Sequence, residues 1–202
     1  MEKITDYKVS DFFKIQDENI INSYVAILDV LKPLKTVNNP KARWYNNESK
    51  MLLIKAVRSL SFGEVTDIRN SFNDGTIDSV FESIKLVTGL TEKQILDFTI
   101  TQLYGIISFI KEELIAISNM ELNELTDESF DINVETVNAK ERMSRFGVLN
   151  AIDSLAKEDI LKWEQIQKLP YLTVFTKLMM DNEKNKIHQE IAELQRKKQL
   201  KN

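Results

Sequence analysis

The stretch Thr91–Glu124, TEKQILDFTITQLYGIISFIKEELIAISNMELNE, decides the fold. It opens on Thr91-Glu92-Lys93-Gln94, a capping-box pattern in which the threonine and glutamine side chains satisfy backbone N–H groups left open at a helix start. Apolar residues then recur at helical spacing: Ile95, Leu96, Ile100, Leu103, Ile106, Ile107, Ile110, Leu114 and Ile117. They cover more than one face, as expected of the central helix of a bundle. Its part from Ile95 to Ile117 is also the most apolar stretch of the chain, yet it carries Asp97, Gln102, Lys111, Glu112 and Glu113. A membrane span tolerates such a load poorly, so the reading is a buried helix and no membrane partner. Gly105 either bends this helix or lets another segment approach it closely.

Working outward, the N-terminal side reads as further helices. Ser10 is a candidate N-cap before Asp11-Phe12-Phe13. A helix is expected from Asn19 to Leu31, stopped by Pro33. Thr36 to Asn47 is rich in Asn and Pro and reads as a loop, followed by a helix from Glu48 to Leu60. Ser61-Phe62-Gly63-Glu64 is a second capping box, opening a helix that ends near Phe72. Asn73-Asp74-Gly75 is a turn, and Thr76 or Asp78 starts a helix closed by Gly89 at C′. On the other side, helices are expected over Asn138 to Lys157 and Glu158 to Lys168. Pro170 then either stops the second or sits in the first turn of a helix running from Tyr171 to the end.

Only 5 Gly and 3 Pro occur, too few for the turns of an all-β fold. The fold class is therefore all-α: a multi-helix bundle with a long central helix and a charged C-terminal helix. The expected organisation is an N-terminal bundle over residues 1–125, an acidic loop or linker over 126–137, and a C-terminal helical region over 138–202. The last region is either separate or continuous with the first.

Several chemistries are excluded or disfavoured. Without cysteine there is no disulfide, thiolate nucleophile or thiolate metal site, which fits a reducing compartment. The single histidine, His188, lies in a charged tract, which argues against zinc and Ser-His-Asp chemistry. No GxGxxG, GxxxxGK[ST] or GxSxG pattern is present. The carboxylates Glu112, Glu113, Glu121, Glu124, Asp127 and Glu128 lack the Glu-x-x-His repeats of di-metal bundles and read as a solvated acidic edge. No cofactor, metal or catalytic residue is expected. The polar N-terminal MEKITDYKVSDFF does not read as a secretory signal.

The net charge of −4 argues against a polybasic nucleic-acid binder. Two small basic clusters define the nucleic-acid alternative: Lys41 and Arg43 beside Trp44 and Tyr45, and Arg196-Lys197-Lys198 with Lys201. Cations at a helix C-terminus also have a structural account through the helix dipole. A protein-binding surface has better support. Phe175, Leu178, Met179 and Met180 are either core or an adaptable apolar face. Met180, Ile187 and Leu194 recur every seven residues with Ile191 between, about two heptads' worth. These seven residues form the candidate partner-binding set, and a homo-oligomer is among the expected partners.

The segment Trp163-Glu164-Gln165-Ile166-Gln167-Lys168-Leu169-Pro170-Tyr171, leading into a charged terminal helix, resembles sequences near the C-terminus of small tailed-bacteriophage proteins. Leu60-Ser61-Phe62-Gly63-Glu64-Val65 and Met120-Glu121-x-x-Glu124-Leu125 look like the same kind of protein. The class is similar to tail assembly chaperones and related virion accessory proteins. The resemblance implies a non-enzymatic, protein-binding role in particle assembly, with phage structural or tail proteins as partners and the host cytoplasm or the virion as location. The alternatives are a structural virion component, such as a head–tail adaptor or ring subunit, and a helical nucleic-acid-binding module.

Overall fold

The structure is a computed structural model that describes residues 7–28, 30–42, 45, 49–126 and 136–199. It is all-α apart from one small sheet. The helices are α1 (Val9–Phe12), α2 (Glu18–Leu28), α3 (Phe62–Asp74), α4 (Ile77–Thr88), α5 (Glu92–Leu96), α6 (Ile100–Leu125), α7 (Ala139–Ser144), α8 (Leu149–Ala156), α9 (Trp163–Gln167) and α10 (Tyr171–Gln199). Strands β1 (Thr36–Asn38) and β2 (Met51–Leu53) pair antiparallel, with Val37 opposite Leu52. Single 3₁₀ turns cover Val57–Ser59 and Ile160–Lys162.

The chain divides into two compact units. One comprises Met1–Leu60 with Glu64–Ala116, the other Ser61–Gly63 with Ile117–Asn202. The division falls inside α6, ahead of the acidic stretch 126–137 that the sequence suggested. Residues 127–135 of that stretch lie outside the described residues.

In the first unit the long apolar tract is not one helix. α5 ends at Leu96 and α6 begins at Ile100. The sequence carries the reason: Thr99-Ile100-Thr101-Gln102 repeats the capping-box pattern of Thr91–Gln94. Thr99 Oγ1 accepts from the Gln102 backbone N–H (3.3 Å), and Gln102 Oε1 accepts from the Thr99 N–H (3.1 Å). The freed backbone at the joint then pairs with the N-terminal segment. Val9 N–H donates to Phe98 O (2.9 Å) and Ile100 N–H to Tyr7 O (2.8 Å). This pairing also explains why α1 starts at Val9, one residue before the Ser10 cap expected of it: Val9 is fully buried.

The expected loop over 36–47 and helix over 48–60 are corrected. Thr36–Asn38 and Met51–Leu53 are strands, and among the described residues of this span only Val57–Ser59 is helical, as a 3₁₀ turn. Tertiary partners take the backbone groups that a helix would have used. Leu34 N–H donates to Gly105 O (3.0 Å), Ile54 N–H to Lys35 O (2.9 Å), and Lys55 N–H to Val87 O (2.9 Å). Strands of three residues are too short to announce themselves by alternation.

Gly105 serves close approach. A Cβ there would lie 2.5 Å from both Cγ and Cδ1 of Leu34. Ile68, Ile84, Val87, Ile95, Ile106 and Ile110 exclude solvent completely in this unit. Glu113 shares the Ile106–Ile110 face of α6, one helical turn on, and is also buried. The Arg58 guanidinium clamps its carboxylate through Nη2 (2.7 Å) and Nε (3.2 Å). Glu113 is thus no part of a solvated acidic edge.

α3 runs on through Asn73 and Asp74, so of the turn expected over 73–75 only Gly75 lies outside the helix; the start of α4 matches the expectation. Gly75 has φ 68°, Thr76 is the N-cap and accepts from Ser79 N–H (3.3 Å), and Gly89 closes the helix at φ 66°. Asp74 accepts from Ser79 Oγ (2.8 Å) and Thr76 Oγ1 (2.9 Å). These bonds, Ser79's first, hold its carboxyl below the ordinary range. A carboxyl with a depressed folded-state pKa contributes stability that is complete above the unfolded value and fades as pH falls through the folded one.

Gly105→Val should destabilise the chain by about 1–3 kcal/mol in urea titration, with Leu34→Ala in the same chain recovering part of the loss. Asp74→Asn should be less stable than the parent at neutral pH, and the gap should close as pH drops below about 4. A gap that stays constant down to about pH 2 would refute that account of Asp74.

Candidate partner-binding surface

The second unit is organised around Tyr171. Its ring is buried and stacks between Phe62 (centroids 6.4 Å apart, planes at 15°) and Phe175 (6.1 Å, 16°). Its hydroxyl donates to Glu121 Oε1 on α6 (2.8 Å). A buried phenol needs such an acceptor, because an unpaired polar group costs more than the bond returns. The backbone beside it is fixed as well: Phe62 N–H donates to Leu169 O (2.8 Å), and Ser61 bridges to Pro170. A Cβ at Gly63 would stand 3.2 Å from Gln167 Cβ, so a small residue suits this crossing.

Pro170 sits immediately before α10, and its carbonyl accepts from Thr173 and Val174 N–H (3.0 and 3.2 Å). The expected long helices ahead of it are shorter. Asn138–Lys157 is broken into α7 and α8 around Gly147 at φ 51°, and Glu158–Lys168 into a 3₁₀ turn and α9. Trp163 Nε1–H donates to Asp153 Oδ1 (3.1 Å), fastening α9 to α8.

These anchors orient α10, at 29 residues longer than α6 with 26. Its first turns pack. Val174 and Phe175 are buried, and Leu178 and Met179 are half-buried. Phe175 therefore leaves the candidate binding set: it falls one helical turn after Tyr171 and stacks on it. Asn182 Nδ2 donates to Glu124 O (2.9 Å). From Glu183 to Gln199 every residue except Lys186 is exposed. Met180, Ile187, Ile191 and Leu194 stand 52%, 46%, 46% and 59% exposed, four apolar side chains at heptad spacing along a charged helix. This stripe is the candidate site.

The other candidates do not converge on chemistry. His188 is exposed. Among the described residues no three His, Asp or Glu side chains come together to hold a metal ion, and no helix is long and apolar enough to cross a membrane. Lys41 Nζ donates to Gly89 O (3.2 Å) at the end of α4, a position favoured by the helix dipole. Arg43, Trp44, Asp127, Glu128 and Lys201 lie outside the described residues. Arg196, Lys197 and Lys198 occupy the last turn of α10, and Lys197 lies 3.7 Å from Glu193 in an exposed pair. The first unit holds a cavity of about 510 Å³ whose lining, including Phe12, Phe81, Leu103 and Ile107, is apolar except for Tyr104 and Lys111. Its walls bring no carboxylate or nucleophile pair together.

No protein-family model matches the chain, and it matches no curated protein and no solved structure.

Tyr171→Phe keeps the stacked ring and removes the hydroxyl's hydrogen bond to Glu121. Chemical denaturation should show a loss of about 1–2 kcal/mol, against about 3–5 kcal/mol for Tyr171→Ala. Equal losses for the two variants would show that the hydroxyl, not the ring, carries the anchor.

Proposed function

We propose that this chain is a non-enzymatic helical protein that binds other proteins through the α10 stripe, acting in tailed-phage particle assembly as tail assembly chaperones do. The observation that supports it is the exposure of Met180, Ile187, Ile191 and Leu194 along a helical segment that is exposed nearly all round. An isolated helix of that length is marginal in water, and most helical stability comes from burying an apolar stripe against something else. A protein surface is what such a stripe complements. The assembly setting rests on the resemblance around Trp163–Tyr171, Leu60–Val65 and Met120–Leu125 alone.

The test is co-expression with the structural proteins encoded beside it. Full-length protein should co-purify with one of them in fixed stoichiometry. Ile187→Asp with Ile191→Asp should lose that partner at least about tenfold in affinity while keeping its helical circular dichroism, because a charge in the seam has to be desolvated. Partner binding unchanged in the double variant, or no partner among those proteins, would overturn the reading. Mass spectrometry of purified particles separates a chaperone, which is absent, from a virion component, which is present.

A further inference from the structure

We infer that the α10 stripe also pairs with a second copy of itself, as an antiparallel two-helix coiled coil; this rests on the protein-binding reading of that stripe. Along α10 the seam positions are Met180, Lys184, Ile187, Ile191, Leu194 and Lys198, spaced alternately by four and three. The two lysines decide the direction. In a parallel pair each seam residue meets its own copy, so Lys184 faces Lys184 and Lys198 faces Lys198, two like-charge contacts in the seam. In an antiparallel pair whose two-fold axis passes near Gln189, Ile187 packs against Ile191 of the other copy. Lys184 then lies over Leu194, and Lys198 over Met180. There the lysine stems cover apolar surface while their ammonium groups reach solvent.

The flanking charges agree with this register. Glu183 lies two residues off level from Lys197 of the other copy, and Asp181, which Lys177 also reaches within its own chain, one residue off level from Lys198, both within side-chain reach and each occurring twice by symmetry. Within one chain Lys197 lies 3.7 Å from Glu193 in an exposed pair. Such a pair contributes little, so exchanging it for a contact across the dimer costs little. One contact opposes the arrangement: Glu190 meets Glu190 across the axis. The seam is only about two heptads long, so the association is weak, with a dissociation constant on the order of 100 μM.

Sedimentation equilibrium on the full chain from micromolar to millimolar concentration tests this. Wild type should pass from monomer to dimer. Ile187→Asp should weaken the dimer at least about tenfold, and Glu190→Gln should tighten it. Glu183→Lys and Lys197→Glu should each lose self-association, and an equimolar mixture of the two should regain it. In that mixture the antiparallel register sets the introduced lysine of one chain against the introduced glutamate of the other. At the opposite flank the unchanged Lys197 of the first chain meets the unchanged Glu183 of the second, so both flanks attract. A monomer at every concentration overturns the inference. So does self-association without rescue in the mixture, which would mean another register. Either result leaves the partner-binding reading to its own co-expression test, because a monomer that still captures a neighbouring structural protein refutes only the self-pairing.

Discussion

A helix of 26 residues that buries one face must also accommodate the polar side chains that fall on or beside that face, and α6 carries the buried Glu113 and the half-buried Glu121 there. Burying an unpaired carboxylate is costly, so Glu113 needs a specific donor, and partial burial favours one for Glu121 as well. Glu113 finds it in the Arg58 guanidinium, Glu121 in the Tyr171 hydroxyl. Both donors come from distant parts of the chain, and both stand beside irregular backbone: the 3₁₀ turn at Val57–Ser59 and the Leu169-Pro170-Tyr171 junction. Satisfying α6 thereby places the end of the small sheet's connection in one unit and the root of α10 in the other.

The root of α10 divides the helix into two different halves. Its first turns are core, with Tyr171 and Phe175 stacked and Val174 buried. Its remainder, past Asn182, has almost no buried side chain. The packed first turns anchor the helix at its root, while the exposed apolar stripe beyond them has no burial within the chain to support it. On the reading proposed above, Lys184 and Lys198 make the stripe select a partner helix by direction as well as by apolarity.

The capping box at Thr91 and the Thr76–Gly89 helix were legible because a cap is a local device: the residues that satisfy the open N–H groups lie within one turn. The break at Asp97–Thr99 was equally legible in Thr99-x-x-Gln102, yet the apolar run across it reads as continuous helix. The buried position of Glu113 was also recoverable, since it lies at helical spacing from Ile106 and Ile110. Residue type suggested solvent, whereas periodicity placed it inside. Arg58 as its partner was not recoverable, because the pairing spans 55 residues of chain.

The sequence by itself determined the all-α class, the absence of thiol chemistry, most helix starts, and the heptad-spaced residues of α10. All of these follow from composition or from contacts within a turn or two. Only the tertiary structure decided the two short strands, the role of Gly105, the split of the chain within α6, and the point along α10 at which core gives way to exposed stripe. Those depend on which distant backbone or side chain arrives to take a hydrogen bond or fill a space. Phe175 and Ile187 are both apolar residues on the same helix, and what separates core from surface is that Tyr171 and Phe62 are stacked within reach of the first.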